Sequence, residues 1–82
     1  MSDELDHLTS EVRRALPQVT VSREGNFVDV RLGERWLVIE WRRGSGYGLT
    51  LNPTMEDAFS GPKEVLDLSE AALRRSVELL TR

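Results

Sequence analysis

The segment Arg35–Arg42 is the most apolar and β-branched run of the chain, and it contains both tryptophans. Its eight residues lie between Gly33 and Gly44, which is a length typical of a strand rather than a helix. Its content of Val, Ile and Trp favours a strand that is covered on at least part of both faces. We therefore predict that this segment is the central strand, around which the rest of the chain is organised.

Two short turns, at residues 25–26 and 33–34, place the strands that precede the central one. Each turn contains a glycine, as two-residue hairpin turns favour. The resulting register sets Val30 opposite Leu37 and collects the apolar side chains on one side of the sheet. The residues expected on this core side are Val19, Val21, Val28, Val30, Leu32, Leu37, Ile39 and Trp41.

A third connection, at residues 44–46, leads to a fourth strand. A three-residue loop pairs Trp41 with Leu49 and Ile39 with Leu51, which keeps both leucines on the core side. A loop of four residues would instead set glycine and threonine opposite the core residues. We therefore predict a three-residue loop and a four-stranded antiparallel meander.

The first segment of the chain has helical periodicity. Leu5, Leu8, Val12 and Leu16 recur every three or four residues and form one apolar stripe, and Pro17 ends the pattern. The chain's only histidine, His7, lies beside this stripe, and we interpret it as a surface residue because it has no partner ligand.

A second helix is predicted at the carboxyl end. It is expected to begin at Ser69, through a hydrophobic staple between Leu68 and Leu73 or through a capping box of Asp67 and Glu70. Its apolar stripe consists of Leu73, Val77 and Leu80, supported by Ala72.

Residues 52–66 contain two prolines and a glycine and show no clear period. A connection of this length is either functional or packed by its own side chains. We predict packing, through Met55, Phe59, Val65 and Leu66.

These elements predict one small α+β domain over residues 1–82. Two helices with one apolar stripe each must cover the apolar side of the sheet, which gives a two-layer sandwich of order α-β-β-β-β-α. A core this thin leaves little stability in reserve, so a domain of this kind gains from a partner.

Composition excludes several classes of function. The 82 residues contain no cysteine and one histidine, which excludes disulfides, thiolate metal sites and a histidine-built metal site or triad within one chain. The net charge of -3 argues against a general nucleic-acid binder. The acidic amino terminus and the absence of a long apolar run predict a cytoplasmic protein without a membrane segment. No cofactor and no metal are expected.

The strand alternation leaves a second side of the sheet, pointing away from the helices, that is unusually apolar. Arg31 lies opposite Trp36, within reach of a cation-π contact. Exposed aromatic residues rimmed by charges are typical of binding surfaces, so we predict a protein partner here, in the first place a second copy of the chain. We call this side the outer face. It also carries Asp29, and its predicted partner-binding residues are Phe27, Arg31, Trp36, Val38, Glu40 and Arg42. The alternative is that residues 52–66 fold across it and bury Trp36.

Nucleic-acid binding is a second hypothesis for the same side of the sheet. Arginines and aromatic rings could neutralise and stack on a single strand, although Asp29 and Glu40 oppose it. The residues involved would be Phe27, Arg31, Trp36, Arg42, Arg43 and Tyr47. The glycines of residues 44–48 resemble a phosphate-binding loop, but a tight hairpin explains them, and Gly48 indicates a bulge or a close backbone approach.

An enzyme is the third and least favoured hypothesis. The carboxylate pairs Glu56/Asp57 and Asp67/Glu70 have no base, nucleophile or metal-ligand cluster beside them, so they are expected to be solvated. The acidic residues after Met55 could instead meet a basic partner. A catalytic or small-ligand site would require a deep polar pocket.

In topology alone, the chain is similar to the bacterial type III secretion chaperones. The similarity lies in a small acidic domain with an amino-terminal helix followed by antiparallel hairpins, and the chaperones' further interior helix and strand are missing. This resemblance implies a homodimer that binds another protein.

Overall fold

The computed structural model describes residues 4–55 and 61–82, and these form an α+β fold, as predicted. The order of the described elements is helix, five strands, helix. Their bounds are Glu4–Ala15 (α1), Thr20–Glu24 (β1), Phe27–Leu32 (β2), Arg35–Arg42 (β3), Gly46–Leu51 (β4), Glu64–Leu66 (β5) and Ser69–Thr81 (α2).

The strands pair in chain order, each antiparallel to the next. Both predicted two-residue turns are confirmed, since Glu24 pairs with Phe27 and Leu32 pairs with Arg35. Val30 lies opposite Leu37, so the predicted register of β2 and β3 is correct.

The predicted register of β3 and β4 is wrong by two residues. Trp41 lies opposite Tyr47 and Ile39 opposite Leu49, so the three loop residues are 43–45 rather than 44–46. Gly46 belongs to the strand, where it pairs with Arg42, and its backbone packs closely on Leu66 at the end of β5 and on Asp67. A shift of two preserves the alternation of sides, and Leu49 is therefore fully buried, as expected.

The prediction of four strands is also wrong, because β5 adds a fifth. It pairs Leu66 with Tyr47 and Glu64 with Leu49, which covers an edge of β4 that would otherwise be unpaired. Arg75 of α2 donates from Nε to both carboxylate oxygens of Glu64, at 3.0 Å each. This carboxylate raises the pKa of Arg75 above its ordinary value.

Helix α1 buries Leu5, Leu8 and Val12, as its periodicity predicts. Leu16 follows the helix, with its N–H donating to the carbonyl of Val12 at 2.8 Å, and its side chain packs against the core.

Helix α2 begins at Ser69, but neither predicted cap forms. Leu68 is the N-cap residue, in an extended conformation without a side-chain capping hydrogen bond. It is 64% exposed, which also argues against the predicted staple. The chain leaves β5 in an extended conformation, and this holds Leu68 outside the core.

The buried side of α2 is rotated from the predicted stripe. Ala72, Ser76, Leu79 and Leu80 are buried, whereas Val77 is only half-buried. The hydroxyl of Ser76 donates to the carbonyl of Ala72 at 2.7 Å, so this buried polar group is satisfied within the helix.

The core lies between the helices and one side of the sheet. Trp41 packs against it, as predicted for the core side of β3. The buried apolar residues of this cluster are Leu5, Leu8, Val12, Val28, Val30, Leu37, Ile39, Tyr47, Leu49, Ala72, Leu79 and Leu80.

Arg35 of β3 supplies the positive charge that the last turn of α2 lacks. Its guanidinium donates to the carbonyl of Leu79 at 3.4 Å and to that of Arg82.

We expect Arg35→Ala to lower the free energy of unfolding by about 0.5–1 kcal/mol, because a cation at a helix carboxyl end is worth this much. The loss should appear as faster hydrogen exchange at the final amides of α2. Arg43→Ala, in the exposed loop after β3, is the control and should change neither quantity; equal effects of both variants would contradict the capping role.

Candidate partner-binding face

The register of β2 and β3 places all the predicted partner-binding residues on the outer face. The residues of this set alternate along each strand with the buried residues Val28, Val30, Leu37 and Ile39. Phe27 is 45% exposed, and the side chains of Arg31 and Arg42 also reach solvent. Asp29, Trp36, Val38 and Glu40 are half-buried. The sequence therefore located this side of the sheet correctly.

Trp36 is held in place by a cation on one face of its ring, by a hydrogen bond from its indole and by two hydrogen bonds of its backbone. The guanidinium carbon of Arg31 lies 4.6 Å from the ring centroid, which confirms the predicted cation-π contact. The indole N–H donates to Asp29 at 3.1 Å. Asn52 accepts from the Trp36 amide at 3.0 Å and returns its own N–H to the Trp36 carbonyl at 2.6 Å. An aromatic side chain fixed in this way loses little conformational entropy when a partner covers it.

Charges on the outer face are paired within the chain. Arg42 and Glu40 approach to 3.1 Å, with the side chain of Arg42 52% exposed and that of Glu40 14% exposed. An exposed pair of this kind contributes little stability. Its consequence is that the two charges compensate each other beside an apolar surface.

A groove with a volume of about 560 Å³ runs over the outer face. Side chains of β2 and β3, among them Phe27, Trp36 and Val38, form its floor together with Thr50 of β4. Its walls are formed by residues that precede and follow segment 56–60, namely Pro53, Thr54, Met55, Gly61 and Pro62. The lining is mainly apolar.

Gly48 is where the wall meets the sheet. A Cβ at this position would lie 2.6 Å from Cγ of Pro62, so only glycine leaves room for the proline ring. This confirms the close approach predicted at Gly48. The contact places Pro62 directly against β4.

The connection 52–66 does not pack as the sequence suggested. Met55 is 83% exposed and Val65 is 51% exposed, whereas Leu66 is half-buried against the core. Phe59 lies outside the described residues. Trp36 remains half-buried, and it lines the groove together with Pro53, Thr54 and Met55 of the connection.

Tyr47 does not belong to the outer face, which removes one stacking residue from the nucleic-acid hypothesis. It is 3% exposed, with its ring centroid 4.8 Å from that of Trp41. Its hydroxyl donates to the carbonyl of Glu4 at 3.4 Å. The alternation of β4 already sets Tyr47 beside Leu49 on the core side, so this error was avoidable from sequence.

Several groove residues were missed by sequence reasoning. The alternation of β4 points Thr50 and Gly48 toward the outer face, opposite Val38 and Glu40, and this signal was present in the sequence. No local pattern indicates that Pro53, Met55 and Pro62 would flank the same groove, because these contacts are non-local.

Other candidate sites remain isolated. Gly44 and Gly46 lie in a hairpin between two strands, without the following helix that a phosphate-binding loop uses. His7, Asp67 and Glu70 are exposed, and the pair Glu56/Asp57 lies outside the described residues. Within residues 4–55 and 61–82, no cluster of three or more His, Asp or Glu side chains could hold a metal ion.

Comparison with protein-family models, curated proteins and solved structures finds no match to this chain. Neither helix described by the structure is long and apolar enough to cross a membrane.

Proposed function

We propose that this protein is a non-catalytic protein–protein interaction module of the cytoplasm, a small regulator, adaptor, antitoxin-like or immunity-like protein, that binds its partner through the outer face. The observation that carries this proposal is the apolar groove of about 560 Å³ on the side of the sheet opposite the core. Core packing does not require tryptophan, phenylalanine and valine on that side, so another role for them must be sought.

The composition of the groove supports a protein partner. Its floor contains Trp36 and Phe27, and its walls contain Met55, and aromatic residues and methionine are enriched where proteins meet. Arg42 lines the groove and Arg31 lies over the ring of Trp36, and charges in such positions give specificity and orientation. Since Trp36 is already oriented by Arg31 and Asp29, binding need not order it.

Single-stranded nucleic acid is the weaker candidate for this surface. The burial of Tyr47 and the pairing of Arg42 with Glu40 reduce both the stacking and the positive charge that such a ligand requires. The chain's net charge of -3 acts in the same direction.

A charge placed in the groove floor tests the proposal. We expect Val38→Asp to reduce capture of the partner from a lysate of the source cells by at least about tenfold, because a carboxylate would be desolvated without a counter-charge. Bound proteins are compared by quantitative mass spectrometry, with circular dichroism to establish that each bait is folded.

Ser10→Asp is the matched control. It adds the same charge on exposed α1, on the opposite side of the sheet, and should bind as wild type does. If every captured protein binds Val38→Asp and wild type equally well, the outer face is not the interaction surface.

A further inference from the structure

We infer that the partner on the outer face is a second copy of this chain, docked about a twofold axis with Met55 of each copy in the groove of the other. This inference rests on the proposed function and specifies the occupant of the same surface.

The dimensions of the molecule limit where two copies can meet. Its extents are 31 × 31 × 21 Å, which describe a slab with two broad sides. A stable interface buries about 800 Å² on each partner, which only a broad side of the slab can supply. The helices cover one side of the sheet, and most of their apolar residues are buried in the core or packed against it. The outer face is the other side of the sheet, and it carries the apolar groove.

The charge of the outer face permits two copies to meet there. The whole chain carries a net charge of -3, so two copies repel each other on average. On the outer face, Arg31 and Arg42 offset Asp29 and Glu40, and Glu24, which pairs with Phe27, adds one further negative charge. A twofold axis allows the arginines of one copy to face the carboxylates of the other.

Met55 makes this surface self-complementary. It is 83% exposed at the rim of the groove that it helps to line. A flexible, unbranched side chain adapts well to an irregular apolar groove. Since each copy carries one projecting methionine and one groove, a twofold axis fills both grooves with the same contact and leaves neither apolar group in water.

Light scattering after size-exclusion chromatography, over a series from micromolar to millimolar concentration, tests this arrangement. Wild type should have twice the mass of one chain, and Met55→Asp should raise the dissociation constant of the dimer at least about tenfold, since each copy would lose its apolar contact and carry an unpaired charge into the interface. The exposure of Met55 makes this variant safe for folding.

Leu68→Asp is the control. It also replaces an exposed apolar residue by aspartate, but at the N-cap of α2, where aspartate is favoured. Its dissociation constant should equal that of wild type. In a dimer of isotopically labelled and unlabelled copies, the Met55 methyl group should also give an intermolecular NOE to the ring of Trp36.

A wild-type monomer at every concentration would overturn the inference, as would a dimer weakened equally by both aspartate variants or one without the intermolecular NOE. The proposed function fails separately. If the chain is monomeric but captures a protein in a manner that Val38→Asp abolishes, the outer face binds a different partner; if that capture is also absent, both proposals fail.

Discussion

Leu37→Ala is expected to lower the free energy of unfolding by about 2–5 kcal/mol, the cost of deleting a fully buried leucine side chain. Leu37 is 0% exposed at the centre of the sheet, between α1, α2 and the flanking strands, so its removal leaves a cavity that the surrounding strands cannot close. Its neighbour Trp36 points to the opposite side of the same strand. Trp36→Ala should cost about 1–2 kcal/mol, because it removes a half-buried ring, one hydrogen bond and one cation-π contact.

The comparison of these two variants decides which side of β3 is the core. Both should be measured by urea denaturation in the Met55→Asp background and at low protein concentration, where association contributes least to the apparent stability. A loss on Trp36→Ala as large as that on Leu37→Ala would place Trp36 in the core and remove the basis for a binding surface. In the wild-type background, Trp36→Ala should leave a folded domain with weakened association.

The outer face could be predicted because a strand has a side-chain period of two. Two hairpin turns of two residues each leave no freedom in the register of β1, β2 and β3, so the apolar pattern of one side determines the residues of the other. The contact of Arg31 with Trp36 follows from that register alone.

The groove could not be predicted, because its walls come from the connection after β4. Pro62 packs against Gly48 through a contact between residues fourteen positions apart, and the periodicity of the sequence does not indicate such a contact. The strand β5 is only three residues long, too short for a pattern to identify. Similarly, the capping motifs around Ser69 were present in the sequence, but the extended chain leaving β5 prevents the side chains from adopting them.

The contact between β4 and the end of β5 can be tested at Gly46, where we expect replacement by alanine to lower the free energy of unfolding. Gly46 has φ +104, a conformation that L-residues rarely adopt and that costs about 1–3 kcal/mol. An added Cβ would also contact the carbonyl oxygen of Leu66 and lie 2.8 Å from Cα of Asp67, both of which are backbone atoms that cannot rotate away. Overpacking of this kind costs about a further 1–3 kcal/mol.

Gly44→Ala separates the two contributions. Gly44 has φ +86, but a Cβ there would meet nothing within 4 Å, so its replacement carries the conformational cost alone. The difference between the two variants in the free energy of unfolding, measured by urea denaturation, therefore reports the contact of β4 with Leu66 and Asp67. We expect Gly46→Ala to be the less stable by about 1–3 kcal/mol and to accelerate hydrogen exchange at Val65 and Leu66. Equal losses of stability in the two variants would mean that β5 is held loosely enough to move aside.

Displacement of β5 should also affect association, because Gly61 and Pro62, which precede β5, form one wall of the groove. We therefore expect Gly46→Ala to weaken association and Gly44→Ala to leave it unchanged.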